Sequence, residues 1–441
     1  MPPDPEASLS GADELRDYRL IIFAYITSSL GNWVYQLTLP LLVLKLTGSA
    51  LTTGAIYAVE YLPFLLLSLP GGVLADRINR RLLLITGDSV SSALALLLAI
   101  IVSTSTHTVW LIFVVAFLLS CVDPIYHPAF QSFIPDVSPK EKLAQANSWM
   151  QTGDNAMGLL GPVIAGAAIS LFGYQTTIYL DAITFAISAG SILLIRYRPH
   201  FVVKKSGKRL SGVIEDMREA GEYIFRRDRI LLAGSLTFTG TNFAIWLIQA
   251  NFVFYLTTYR HLSPSIIGIV FGAQGIGSVL GSALAPRIIR RIPPGRTIIL
   301  STAAAGICTA SLIVLRQVAE ITVVWGVLAG LGAINVVSWF SLRQQIVPPY
   351  ILGRVVATTR MLAFVSIPVG AVVAGLLQTS LKNIYLIIGI GAALRLSMAI
   401  IASRSALNRG SPLAPAAPAG RPPARPNPEV AEPNPELAEP S

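Results

Sequence analysis

The 441-residue chain is 53% hydrophobic and 13% charged, whereas a soluble protein carries about 25% charged residues, so its composition belongs to lipid. The formal net charge of +10 invites a nucleic-acid partner, but the basic residues crowd into alternate loops, the positive-inside pattern of a membrane protein, and nucleic-acid binding is set aside. Cys121 and Cys308 lie in apolar segments with no ligand-like spacing to His, which excludes a disulfide framework and a zinc site.

Residues 2–19 place acids and prolines ahead of an apolar run too long for a signal-peptide core, so the first helix is expected to stay in the mature protein. A membrane crossing needs about 20 mostly apolar residues. Runs of that length predict spans at 18–45, 51–70, 82–104, 109–129, 146–172 and 176–196, then at 230–257, 263–286, 296–316, 320–343, 354–379 and 383–403. The reading is an all-α membrane protein with twelve transmembrane helices in two pseudo-symmetric six-helix bundles, 16–196 and 230–403. Residues 1–15 are expected to form a cytoplasmic segment, 197–229 a linker with an amphipathic surface helix, and the Pro/Ala-rich 404–441 a disordered tail.

One set of loops holds Arg77, Arg80 and Arg81, the run from Arg196 to Arg229, and Arg287, Arg290, Arg291 and Arg296. The opposite set holds little more than Lys45, Arg260, Arg316 and Lys382. The basic side is therefore expected to be cytoplasmic, with both termini there, in a bacterial cytoplasmic (inner) membrane.

The halves read as a duplication. Gly71-Gly72-Val73-Leu74-Ala75-Asp76-Arg77-Ile78-Asn79-Arg80-Arg81 returns as Gly281-Ser282-Ala283-Leu284-Ala285-Pro286-Arg287-Ile288-Ile289-Arg290-Arg291. Gln131 to Pro135 parallels Gln344 to Pro348, and Gly31-Asn32-Trp33 parallels Thr241-Asn242-Phe243. Chance likeness between apolar helices would not hold one register at three sites, and duplicated halves are how carriers are built.

The segment Gly72 to Arg81 resembles the signature of the loop between the second and third helices of the major facilitator superfamily. Arg16 to Leu20, Ser29 to Trp33, Asp123-Pro124, Ile134 to Asp136 and Asp181 to Phe185 are similar to the branch of the enterobactin exporter and macrolide efflux carriers. The resemblance covers about 15–403 and implies a central cavity that opens to one side at a time as the bundles rock. Two departures accompany it. Leu111 to Ala129 lacks the Arg that many proton-coupled drug exporters carry, and Pro286 stands where the first loop has Asp76, which implies that one loop alone acts as a conformational latch.

Ionisable residues inside the membrane cost about 2.5–3.5 kcal/mol each on insertion scales. Between Arg229 and Arg409 the single acid is Glu320, at an outer loop, so a proton-carrying carboxyl must come from the first half. Glu60, between Tyr57 and Tyr61, is the one acid expected near the bilayer centre, where low-dielectric surroundings suit a carboxyl to proton exchange. A carboxyl bonded to a neighbouring helix would satisfy the same pattern. Asp154, beside Asn155, is a second proton-coupling candidate. Asp76, Arg77, Arg80, Arg81, Asp88 and Asp123 are expected to form a cytoplasmic gate of charges that closes in one state.

Asn32, Trp33, Tyr35, Gln36, Tyr57, Tyr61, Asn155, Asn242, Trp246 and Gln249 are the candidate substrate contacts, since rings with a few amides suit an amphipathic, partly aromatic compound. Packing or interface anchoring would equally explain individual aromatics. Gly158, Gly161-Pro162 and Gly166 resemble a loose form of the exporter antiporter motif, in which small residues allow close helix approach. No nucleophile–base pair, metal cluster or phosphate loop is visible, so neither an enzyme nor a cofactor is expected. The expectation is a monomeric secondary transporter in the bilayer, exporting a siderophore, antibiotic or drug by proton antiport. The alternatives are a proton-coupled importer of a metabolite or lipid, and a non-transporting binding protein of the same fold.

Overall fold

A backbone in lipid has no water to bond with, so it satisfies its own N–H and C=O groups as helix. The computed structural model describes residues 11–104, 109–138, 142–196 and 218–409, and does not describe the side chains of 11, 12, 14, 68–77, 144 and 409. The expected N-terminal segment through residue 10, most of the linker helix (197–217) and the tail from 410 lie outside the described residues.

The first half comprises α1 (Gly11–Thr47), α2 (Ala50–Arg77), α3 (Arg80–Ser103), α4 (Val109–Ser120), α5 (Asp123–Val137) and α6 (Leu143–Leu193). The second comprises α7 (Arg229–Phe254), α8 (Pro264–Arg291), α9 (Pro294–Ser311), α10 (Val318–Ile346), α11 (Pro349–Leu381) and α12 (Ile384–Arg404). Nine helical segments among the described residues are long and apolar enough to cross a membrane. One of them contains both arms of α6, which break at Gly173, where φ is 82°, a conformation that glycine takes without steric cost. With α1 (37 residues) and α9 (18 residues), the set is consistent with the twelve predicted crossings. The fourth crossing differs from the expected 109–129. Its α4 stops at Ser120, and α5 starts after a turn at Asp123 and runs on to Val137.

Several boundaries have visible chemical causes. Asp228 caps α7 by accepting from the N–H groups of Ile230 (2.8 Å) and Leu231 (2.9 Å), and Asn383 does the same for α12 at Tyr385 and Leu386. Glu320, the lone acid of the second half, forms a capping box with Gln317 at the start of α10.

The packing divides by depth. Towards the basic face each half has its own apolar core, one around Ile21, Phe130 and Phe133, the other around Ile298, Trp339 and Leu342. Towards the opposite face one core is shared, combining Leu41, Leu44 and Ala50 with Phe252, Ile267 and Ala371. Two seams join the halves there, α2 against α11 and the first arm of α6 against α8.

Glycine makes both seams possible. A Cβ on Gly54 would lie 2.5 Å from the Ala371 carbonyl oxygen, and one on Gly375 would lie 2.6 Å from Leu51 Cα. Across the other seam, a Cβ on Gly166 would lie 2.4 Å from the Pro264 oxygen, and one on Gly268 would lie 2.4 Å from the Pro162 oxygen. Ser265 closes that end, its Oγ 2.7 Å from Ser170 Oγ.

Candidate functional site

Between the halves, on the basic side of the shared core, lies a cavity of about 440 Å³. The first half contributes Asn32, Trp33, Tyr35 and Gln36 from α1, Tyr57, Glu60 and Tyr61 from α2, Asp123 from α5, and Asp154, Asn155 and Asp181 from α6. The second half contributes Trp246 and Gln249 from α7 and Phe271, Gln274 and Ser278 from α8. No Lys, Arg or His is among the described residues that line it.

Rings set its shape. Trp33 packs on the bare backbone of α6, where a Cβ at Gly161 would meet the Trp33 Cβ at 2.4 Å. Trp246 stands edge-on to Tyr61 (4.7 Å between centroids) and Tyr57 (5.8 Å) across the gap between the halves. Gln274 is oriented by the indole N–H of Trp325, which donates to its Oε1 at 3.2 Å.

The four acids differ in their surroundings. Asp154 accepts from Tyr25 Oη at 2.6 Å and from Ser29 Oγ at 3.0 Å. Asp123 opens α5, followed by Pro124, which has no N–H, and by Ile125 and Tyr126, whose N–H groups donate to the Val122 carbonyl (3.1 and 2.9 Å). Glu60 has a buried Oε1 with no hydrogen-bond partner, and neither carboxylate oxygen of Asp181 has one.

Of the predicted substrate contacts, the structure brings all but one to the cavity wall. Asn242 is the exception: its Nδ2 donates to the Phe238 carbonyl one turn back (3.0 Å). The sequence register aligns it with Asn32, but the helix rotation turns it away. Asp181 enters the sequence reading only within a family motif, and its signal was an acid inside the sixth apolar run. The expectation that Glu60 stands alone near mid-membrane is likewise corrected, since Asp123, Asp154 and Asp181 share its cavity.

The described members of the expected charge gate make other contacts. The side chains of Asp76 and Arg77 lie outside the described residues. Arg80 pairs with Asp136 at 2.9 Å and donates to the Ser132 carbonyl, while Arg81 donates to the carbonyls of Ile192 and Leu193. These contacts stay within the first half. Asp88 lies eight residues into α3, about 12 Å from the helix start at 1.5 Å per residue, too deep to meet Arg80. It accepts instead from Ser188 Oγ (2.6 Å), Tyr126 Oη (3.0 Å) and Ser28 Oγ (3.5 Å). Asp123 faces the cavity.

The buried arginines of the second half also turn away from the cavity. Arg395 donates to Thr309 Oγ1 (3.0 Å) and the Ala305 carbonyl. Arg343 bonds Thr359 and lies over the rings of Trp339 and Phe340.

Comparison with known proteins matches residues 21–371 to the sequence model of the Major Facilitator Superfamily. The chain is 25% identical over 365 residues to the multidrug efflux pump Tap of Mycolicibacterium fortuitum, covering 81% of this chain and 88% of that one. It is 24% identical over 356 residues to macrolide efflux protein A of Streptococcus pyogenes, covering 78% and 84%. A match at 26% identity to the uncharacterized MFS-type transporter YfiS of Bacillus subtilis spans 60% of this chain and 62% of that protein. Among solved structures, the nucleoside transporter NupG superposes with a TM-score of 0.70 at 15% identity, over 89% of this chain and 98% of that one; that likeness concerns the fold.

Proposed function

The chain belongs to the major facilitator superfamily, and on that premise we propose that it exports a small amphipathic compound bearing a positive charge, by proton antiport with alternating access. It is a membrane transporter, not an enzyme. The observation that carries the proposal is the charge of the wall: four carboxyl groups, no basic side chain among the described residues, and rings from both halves. A cation would find partners there that an anion would not, and the aromatic faces would hold its apolar body. The efflux titles of two relatives support the outward direction.

In this reading the basic face is cytoplasmic, in a bacterial inner membrane, and the structure is the state open to the cytoplasm. Protons and a cationic substrate compete for the same carboxyls. A proton arriving from outside neutralises Glu60 and displaces the substrate; deprotonation on the cytoplasmic side restores the charge that binds the next one. Exchanging one proton for one monovalent cation moves no net charge, so the pH difference drives this cycle, at about 1.4 kcal/mol per pH unit.

Uptake into inverted vesicles tests this directly, with ethidium as a cationic probe and carboxyfluorescein as an anionic one. A proton gradient is expected to drive ethidium uptake alone, and Glu60→Gln to abolish the gradient dependence while the protein still inserts and binds ethidium, more weakly, through the remaining carboxyls. Unchanged pH-dependent transport by that variant removes Glu60 from the mechanism; a preference for carboxyfluorescein overturns the substrate class.

A further inference from the structure

The cavity has a recess on its first-half side, and the most enclosed carboxyl of the wall stands in it. Asp181, on the second arm of α6, is 2% exposed. The backbone of α1 packs directly over it: a Cβ on Gly31 would lie 2.6 Å from Asp181 Oδ1 and 2.1 Å from Thr184 Oγ1. Nearby hydroxyls are committed to the main chain. Thr184 Oγ1 donates to the Asp181 carbonyl at 2.7 Å, and Ser92 Oγ to the Ala182 carbonyl at 2.8 Å. Both carboxylate oxygens of Asp181 are left without a donor, as are Tyr35 Oη and Glu60 Oε1 on the neighbouring α1 and α2.

We propose that Asp181 is a second proton-binding carboxyl, so that each transport cycle carries one proton at Glu60 and another at Asp181.

Charged and titratable groups reach this recess from every packed helix. Tyr35 lies on α1, Glu60 on α2 and Asp123 at the start of α5, and all are within electrostatic reach of one another or of Asp181. On α3, Asp88 is tied to the same arm of α6 through Ser188. None of these brings a positive charge. Acids crowded along one wall cannot all be ionised together, and their partners decide which stay charged. Asp154 has two hydroxyl donors and Asp88 three, while Asp123 is only partly buried. Asp181 and Glu60 have orphaned oxygens, and an isolated buried carboxylate takes up a proton in place of its charge. Because the cavity reaches Asp181, that proton can exchange with water when the bundles open.

The inference rests on the reading of this cavity as the transport site, and the test separates the two. Infrared difference spectra of the full chain in lipid nanodiscs, taken across a pH series, register the carbonyl stretch of each protonated carboxylic acid without any transported substrate. Wild type is expected to show two titrating bands. Glu60→Gln should lose one and Asp181→Asn the other, and Asp181→Glu should retain a second band at a shifted frequency. Labelling with carboxyl-¹³C aspartate should shift the second band and leave the Glu60 band in place, and in the labelled Asp181→Glu chain that second band should no longer shift, which covers the case in which Asp181→Asn fails to fold. If that label moves no titrating band, or if Asp181→Asn retains both, the proposal is overturned. Loss of the Asp181 band at fixed pH when sodium replaces choline would assign the recess to an inorganic cation and overturn it equally. An Asp181 band without a Glu60 band would remove the Glu60 mechanism and leave the second site standing.

Discussion

Replacing Gly268 with alanine puts a methyl carbon 2.4 Å from the Pro162 carbonyl oxygen across the seam between α6 and α8. Carbon–oxygen contacts of this kind begin at about 3.3 Å, so the helices must part by about 0.9 Å at that level. The obstacle is backbone, with Gly166 Cα a further 3.1 Å away, so no side-chain rotation relieves it. Overpacking of this sort costs about 1–3 kcal/mol. The cost falls only on the state in which the outer seam is closed, so the ratio of open to closed outer seam should rise about 5- to 150-fold. Cross-linking measures that ratio. With Cys121 and Cys308 replaced by alanine, cysteines at Ser170 and Ser265, whose hydroxyl oxygens lie 2.7 Å apart, should oxidise rapidly to a disulfide. Gly268→Ala should slow the reaction and Gly268→Val slow it further. Gly190→Ala, on a surface with nothing within 4 Å of the new Cβ, should leave it unchanged. Equal cross-linking rates in Gly268→Val and the parent, at equal amounts in the membrane, would refute the reasoning.

Two further outcomes follow from the same geometry. Trp246→Ala removes a ring face from the cavity wall; a cation over such a face gains about 0.5–2 kcal/mol, so ethidium binding should weaken by about tenfold in a fluorescence titration while protein levels hold. Asp88→Ala leaves three buried hydroxyls without their acceptor, at about 1–3 kcal/mol for each one not re-paired. It should therefore lower the detergent melting temperature by several degrees, whereas Glu60→Gln should not.

The fold was legible in the sequence because lipid leaves the chain few choices: long apolar runs, basic loops on alternate sides, and a loop repeated at a fixed interval. The break of the fourth crossing was less so. Cys121-Val122-Asp123-Pro124 reads as a helix start only once the chain on both sides is seen to be helical. The cavity-lining residues of α1 and α2 were accessible because polar and aromatic residues stand out in apolar runs. Asn242 shows the limit, since polarity does not fix the rotation of a helix about its axis. The acids show another. Asp88 and Asp123 were assigned to the cytoplasmic gate from nearness to its arginines along the chain, but helical rise carries Asp88 well inside the bundle and the break after Ser120 delivers Asp123 to the wall. The orphaned oxygens of Asp181 depend on where every neighbouring hydroxyl points, which no linear pattern encodes.

The two sides of the cavity differ in kind. One wall bears every ionisable group, and the other is neutral, built from an indole, a phenyl ring, two amides and a hydroxyl. Exchanges on the neutral wall alter shape and hydrogen bonding without adding or removing charge, so a lineage could reshape the cavity there and leave its carboxyl groups undisturbed. A carrier divided in this way can diversify with only half of its interior under strict constraint.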